Sequence, residues 1–254
     1  MTSGSKHITE MQRHEMAADI ARQTLRLPQH KLGHDQPRTI ATMSKLSMHL
    51  FNLGQYSEAA AWERQALDTR QRVLRPGHAD TLRSMVKLSM CLGVLGQHEA
   101  AVDMAREALA LRQRMLGRND RETLSSMDNL STRLAELGQH EEAADMARQT
   151  LEARQRVLGP EHPNTLDSMA NLSIRIYELG QHEAAVDMSR RVLAARQRVL
   201  GPEHPGTLRS MGNLGISLGE LGQHEAAADI DRHSAGHAAA CAWASAPGHA
   251  AQHG

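Results

Sequence analysis

Residues 165–206 read TLDSMANLSIRIYELGQHEAAVDMSRRVLAARQRVLGPEHPG, and this stretch decides the fold. Leu166, Met169, Leu172, Ile176 and Leu179 recur at steps of three and four, the apolar stripe of an α-helix. Gly180 follows the stripe, and glycine readily takes the left-handed backbone that stops a helix. A second helical pattern runs from about His182 to Leu200, with Ala184, Ala185, Met188, Val192, Leu193, Ala195 and Val199 as its apolar positions. Gly201-Pro202 breaks it, and Pro205 marks the approach to the next pattern. Thr165 stands near the start of the first helix, where a hydroxyl can cap free backbone N–H groups.

The stretch is one period of a longer array. Gly-Gln occurs at Gly54, Gly96, Gly138, Gly180 and Gly222, each 42 residues after the last. Met43, Met85, Met127, Met169 and Met211 keep the same step, as do Leu46, Leu88, Leu130, Leu172 and Leu214. A small residue follows each leucine: Ser47, Ser89, Ser131, Ser173 and Gly215. Thr39, Thr81, Thr123, Thr165 and Thr207 open the units, and Arg-Gln-Arg begins at Arg70, Arg112, Arg154 and Arg196. Neither helix of a unit can bury its stripe alone, whereas stacked pairs bury a continuous core. Small side chains such as Ser173 and Ala185 then let the paired backbones approach closely, and packing is the reading given to them.

The register divides the chain. Residues 1–11 read as a flexible N-terminus and 12–233 as the array. Within it lie a half repeat at 12–33, units near 39–75, 81–117, 123–159 and 165–201, and an incomplete unit at 207–233. Residues 234–254, mostly Ala, His, Gly and Ser, read as a disordered tail or a weak helix. The last first helix carries the full stripe Leu208, Met211, Leu214, Leu218 and Leu221 but also Gly212, Gly215 and Gly219. Self-association through this incomplete repeat is therefore expected.

Composition narrows function. Lys plus Arg and Asp plus Glu are both 29, so no excess positive field exists to grip nucleic acid or an acidic membrane. Aromatics are 2 %, too few for a platform that stacks bases. Leu, Ala and Met dominate the apolar set, and these are helix formers. Two cysteines, Cys91 and Cys241, argue against a disulfide framework and for a reducing compartment. No run approaches the ~20 apolar residues of a membrane span, and Met1–Glu10 has no apolar segment, so a cytoplasmic location is expected.

Chemistry finds little footing. The His-Glu pairs at His98, His140 and His182 lie one repeat apart, too far to share a metal ion with bonds of about 2 Å. Neither a phosphate-binding loop nor a nucleophile elbow occurs, and no cofactor or metal is expected. The Arg-Gln-Arg triplets read as a solvated face that complements the helix dipole. The informative surface is the unpacked face of each first helix, which carries Lys45, Lys87, Asn129, Asn171 and Asn213 in one row. Met48, Met90, Thr132, Ile174 and Ile216 form a mostly apolar row beside it. Lys and Asn can hold the backbone and acidic groups of an extended peptide, and the second row its side chains. The competing reading is that each Asn bonds only its neighbouring helix.

Thr165-Leu166, Asn171-Leu172, Leu179-Gly180-Gln181, Glu183-Ala184-Ala185, Val199-Leu200-Gly201 and His204-Pro205 together resemble tetratricopeptide repeats. The match is to the 42-residue variety of kinesin light chains and of the C-terminal arrays of nucleotide-binding receptor proteins. The family often has Tyr after the Gly-x pair, as at Tyr56, where later units carry His98, His140, His182 and His224. The resemblance implies an all-α fold, a right-handed superhelical α-solenoid of stacked antiparallel helix pairs. It also implies that groove Asn and Lys residues contact a bound peptide. The leading expectation is a non-catalytic module that binds a peptide or protein segment in its concave groove. The alternative is a sensor segment of a larger nucleotide-binding switch or receptor protein, truncated from it or acting in trans. An enzyme lacks any supporting motif.

Overall fold

The computed structural model describes residues 2–26, 35–75 and 77–244, with side chains described for 10–26, 35–75 and 77–234. Among these, all regular structure is helical: α1 (Thr2–Arg26), α2 (Pro37–Asn52), α3 (Tyr56–Val73), α4 (Ala79–Val94), α5 (His98–Leu116), α6 (Arg121–Glu136), α7 (His140–Leu158), α8 (Pro163–Glu178), α9 (His182–Leu200), α10 (Pro205–Glu220) and α11 (His224–Ala244). The chain divides into two compact units, Gly4–Gln139 and His140–Gly254. In the first, α2 packs on α3, α3 on α4, α4 on α5 and α5 on α6, and α4 also touches α6. In the second, α7 to α11 pack in the same sequential way, and α8 touches α10. This is the expected α-solenoid of stacked antiparallel helix pairs.

The stripe residues form the cores. Leu46, Leu50, Leu82, Met85, Leu88 and Leu92 meet Ala59, Ala101 and Ala108 in one continuous cluster of the first unit. In the second, Met169 and Leu172 pack on Ala147, Leu151 and Val192. Met211, Leu214 and Leu218 pack on Val186 and Leu193, with Ala226, Ala227 and Ile230 of α11 against them.

The helix ends follow one rule at each repeat. Gly96 has φ 75°, its N–H bonds the Gly93 carbonyl, and the Gln97 N–H bonds the Leu92 carbonyl. Two carbonyls of the last turn are thereby satisfied, and only a residue free of Cβ strain sits easily at that φ. The same bonds recur at Gly54, Gly138, Gly180 and Gly222.

The starts correct the sequence reading. The threonines are not the caps: the four first helices with a side-chain cap begin two residues earlier. His78, Asp120, His162 and His204 accept from the backbone N–H two residues on. A neutral imidazole with its proton on Nε2 offers Nδ1 as the acceptor, which is how histidine serves here. Thr81, Thr123, Thr165 and Thr207 are instead buried in the first turn, and the Thr207 hydroxyl reaches back to the Gly201 carbonyl at 2.8 Å.

The arginine triplets also differ from expectation. The first arginine of each is buried, and the second arginine is exposed. Arg112 Nη1 donates to Ser126 Oγ at 2.7 Å and to the Glu122 carbonyl at 2.8 Å. Arg154 makes the same two bonds to Ser168 and the Asn164 carbonyl, and Arg196 to Ser210 and the Gly206 carbonyl. Each therefore clamps its second helix to the following first helix. Charge counting could not separate this from a solvated ridge, because a serine and a carbonyl carry no formal charge.

The terminal helices run past the limits read from the register. Helix α1 already begins at Thr2, inside the segment expected to be flexible, and α11 continues to Ala244, beyond the expected end at 233. The rest of the expected tail, 245–254, lies outside the described residues.

Candidate functional site

In the Gly4–Gln139 unit the predicted row gathers between α2 and α4. Lys45 and Met48 leave α2, and Lys87 and Met90 leave α4, each helix presenting the pair at a three-residue step. Lys45 is exposed and Lys87 half-buried, and Met48 and Met90 are 42 % and 39 % exposed. Such exposure of unbranched apolar side chains beside a groove suits variable side-chain contacts. These residues line two cavities, of about 390 and 250 Å³, which share Met48 and Lys87. Phe51 and Asn52 join the smaller one, and Pro37, Ile40 and Arg83 the larger.

On α6 the row turns inward. Asn129 Oδ1 lies 2.9 Å from Ser89 Oγ on α4, so one end of its amide already serves the neighbouring first helix. The Thr132 hydroxyl donates to the Asp128 carbonyl at 3.1 Å, one turn back. Both are half-buried, and neither belongs to the two cavities above.

In the His140–Gly254 unit a cavity of about 200 Å³ lies among α8, α9 and α10. Ile174, Tyr177 and Glu178 contribute from α8, Ser189 from α9, and Asn213 and Ile216 from α10. Asn171 is half-buried on the same helix as Ile174 and has a polar partner of its own.

Two residues lining the larger cavity do not read as part of a site in the sequence alone: Glu63 goes unmarked, and Arg70 reads only as one of the basic triplets. Glu63 is fully buried on α3; Ser84 Oγ donates to its Oε1 at 2.6 Å and Ser44 Oγ at 3.0 Å. Arg70, one of the clamp arginines, stands with Nη1 3.6 Å from the same oxygen and also donates to both serines. Burial lowers the Arg70 pKa from its ordinary value, and the charge of Glu63 works against that. A signal existed: the repeat places Ala105, Ala147, Ser189 and Asp231 where the first full unit has Glu63. Asp231 is exposed, so among the described residues Glu63 alone is a buried carboxylate at this repeat position.

Cys91 lines the smaller cavity yet is 2 % exposed. Burial, and secondarily the charge of Glu63, pushes its thiol up to about 11. A thiol raised in the folded state binds its proton more tightly there than in the unfolded chain. Its contribution is complete below pH ~9 and is lost as pH rises through about 11. Two units correspond to about 2–3 kcal/mol. In a Cys241→Ser background, iodoacetamide at pH 8 should label Cys91 only at the rate of unfolding, and Cys91→Ala should flatten the loss of urea stability between pH 9 and 11. Rapid labelling of the folded protein would contradict this.

Among the described residues, no group of three or more His, Cys, Asp or Glu side chains is placed to hold a metal ion, and no helix is long and apolar enough to cross a membrane. No curated protein matches the sequence at a significant level. Solved structures match the fold. The nearly identical TPR-like repeats of a kinesin-light-chain-type protein from Podosopora anserina superpose with a TM-score of 0.67 at 25 % identity, over 81 % of this chain and 98 % of that one. BtubC (BKLC) from P. vanneervenii superposes with a TM-score of 0.65 at 20 % identity, over 92 % of both chains. A Rap protein complexed with Competence and Sporulation Factor superposes with a TM-score of 0.67 at 14 % identity, over 81 % of this chain and 55 % of that one. One tetratricopeptide repeat model matches residues 39–80 and 123–164, and a second matches 64–114 and 176–236. With its 42-residue period, its glycine-closed helix pairs and these matches, the chain belongs to the tetratricopeptide repeat family.

Proposed function

We propose that this chain is a non-catalytic binding module that takes an extended peptide or protein segment along the free face of its first helices. The carrying observation is the pair of adjoining cavities between α2 and α4, with Lys45 and Lys87 beside Met48 and Met90. Ammonium groups there offer hydrogen bonds to backbone carbonyls and acidic side chains, and the methionines offer adaptable apolar contact. Asn129 and Thr132 hold the corresponding repeat positions on α6 of the first unit, and Asn171, Ile174 and Asn213 hold them on α8 and α10 of the second. The Rap protein that shares the fold was solved complexed with Competence and Sporulation Factor, which supports a binding role. The free Cys91 thiol supports work in a reducing, cytoplasmic setting.

The test is panning of a phage-displayed random dodecapeptide library on the full chain. Selected peptides should lose about tenfold in affinity on Lys45→Ala plus Lys87→Ala, more at low salt than at high salt, while helicity stays unchanged. If no peptide is selected, or the selected ones bind the double variant as tightly as the wild type, ligand binding lies elsewhere.

A further inference from the structure

The larger cavity between α2 and α4 has a floor of unusual chemistry. Glu63 is 0 % exposed, and among the described residues its Oε2 has no hydrogen-bond partner, although Oε1 accepts from two serines. A buried carboxylate oxygen without a partner is costly, so native proteins almost always satisfy one. Arg70 lies beside it, and both of its bonds leave from Nη1. A guanidinium carries five N–H donors, so Nε and Nη2 keep theirs for a further acceptor. The floor thus offers one acceptor and one set of donors side by side. The wall adds Lys45, Lys87 and Arg83, against a single further acid, Asp80, which is already 3.1 Å from Arg83.

We propose that this cavity is a specificity pocket for a carboxamide side chain, Asn or Gln, of the bound peptide, with Glu63 accepting from its NH₂ and Arg70 donating to its C=O. The assignment rests on the peptide-binding reading above. Other side chains fit the floor less well. A ligand carboxylate faces the Glu63 carboxylate and has no hydrogen to give it. A ligand ammonium or guanidinium satisfies Glu63 but enters among four cationic side chains. An apolar group leaves Oε2 unpaired. A carboxamide carries both a donor and an acceptor without net charge. Ala105, Ala147 and Ser189 occupy the Glu63 position in the next three units, and Asp231 in the last is exposed rather than buried, so the pocket fixes the register of the peptide.

Panning of the dodecapeptide library on the full chain tests this. The wild type should enrich Asn or Gln at one fixed position. Changing that residue to the isosteric Glu or to Met in a synthetic peptide should weaken binding at least tenfold, a measurement that leaves the protein untouched. Glu63→Gln keeps the side-chain shape but turns one acceptor into a donor. It should move the preference at that position from Asn or Gln towards Asp or Glu, with circular dichroism showing the fold retained. Selected peptides that show no carboxamide preference, yet still depend on Lys45 and Lys87, overturn the pocket and leave the groove standing. An unchanged preference in a folded Glu63→Gln variant also overturns it. Failure to select any peptide removes the groove reading and the pocket with it.

Discussion

Replacing Arg196 by Ala is expected to destabilise the chain by about 2–4 kcal/mol, one of the largest effects open to a single arginine here. Arg196 is 1 % exposed, so its stem fills space in the core and its guanidinium is cut off from water. It lies at the junction of three helices of the His140–Gly254 unit. Nη1 donates to Ser210 Oγ at 2.7 Å and the Gly206 carbonyl at 2.9 Å on α10, and Nη2 to the Asp167 carboxylate on α8. Truncation leaves a cavity along the stem and strips partners from polar atoms on both neighbouring helices. Asp167 is half-exposed and can turn to water, which holds the loss below that of a fully buried ion pair. Arg198 is the control. It lies two residues on in the same triplet, is 65 % exposed, and pairs with the exposed Glu161. Arg198→Ala should change stability by under about 1 kcal/mol. Urea unfolding of the two variants decides the matter, and equal midpoints would mean that the clamp is not what joins α9 to α10.

The clamp also shows where reading the sequence stops. A period of 42 residues, a three-and-four stripe and a glycine after each stripe state the helix pairs and their stacking almost completely, because each follows from local geometry. Helix α9 begins and ends at His182 and Leu200 as its pattern predicts. Partnership between units is another matter. Arg112 meets Ser126, fourteen residues on, only because stacking brings α5 against α6, and both arginines of a triplet look alike in sequence. The caps failed for a related reason. Thr and His both fit near a helix start; Thr81 is buried in the first turn, and His78 is the one placed to accept from the Asp80 N–H. Spacing alone puts Lys45, Met48, Lys87 and Met90 on one face of their helices, and there they line the two cavities. Spacing does not show that the Asn129 amide is drawn to Ser89 across the helix interface. Glu63 is not read from the sequence; it differs there from Ala105, Ala147 and Ser189, but its meaning needs Ser44, Ser84 and Arg70 around it.

Enlarging the small residue where α3 meets α2 should be nearly as damaging as losing the clamp. Ala59 is 0 % exposed in the first turn of α3, and the Ser47 hydroxyl of α2 reaches its carbonyl at 2.9 Å. A side-chain oxygen can meet a main-chain carbonyl of the partner helix only where the two backbones run close, and a one-carbon side chain at 59 permits that approach. Ala101, Ala143 and Ala185 hold the same repeat position and are also 0 % exposed, so the requirement recurs with the period. Leucine at 59 adds three carbons where Leu46, Leu50 and Leu88 already fill the core. The helices must part, which strains packing and lengthens the Ser47 bond together. Overpacking of this kind costs about 1–3 kcal/mol, and the upper end is expected because a hydrogen bond is lost with the packing. Ala61 is the matched control, since it lies two residues on, in the same helix, and is exposed. Ala61→Leu makes the same chemical change at almost equal helix propensity and should stay within about 0.5 kcal/mol. If Ala59→Leu melts with the wild type, the approach of α2 to α3 is not set by this alanine. If Ser47→Ala costs the ~1 kcal/mol of a typical hydrogen bond while Ala59→Leu costs two to three times that, steric closeness holds the two helices together more than the bond does, and the bond is its consequence.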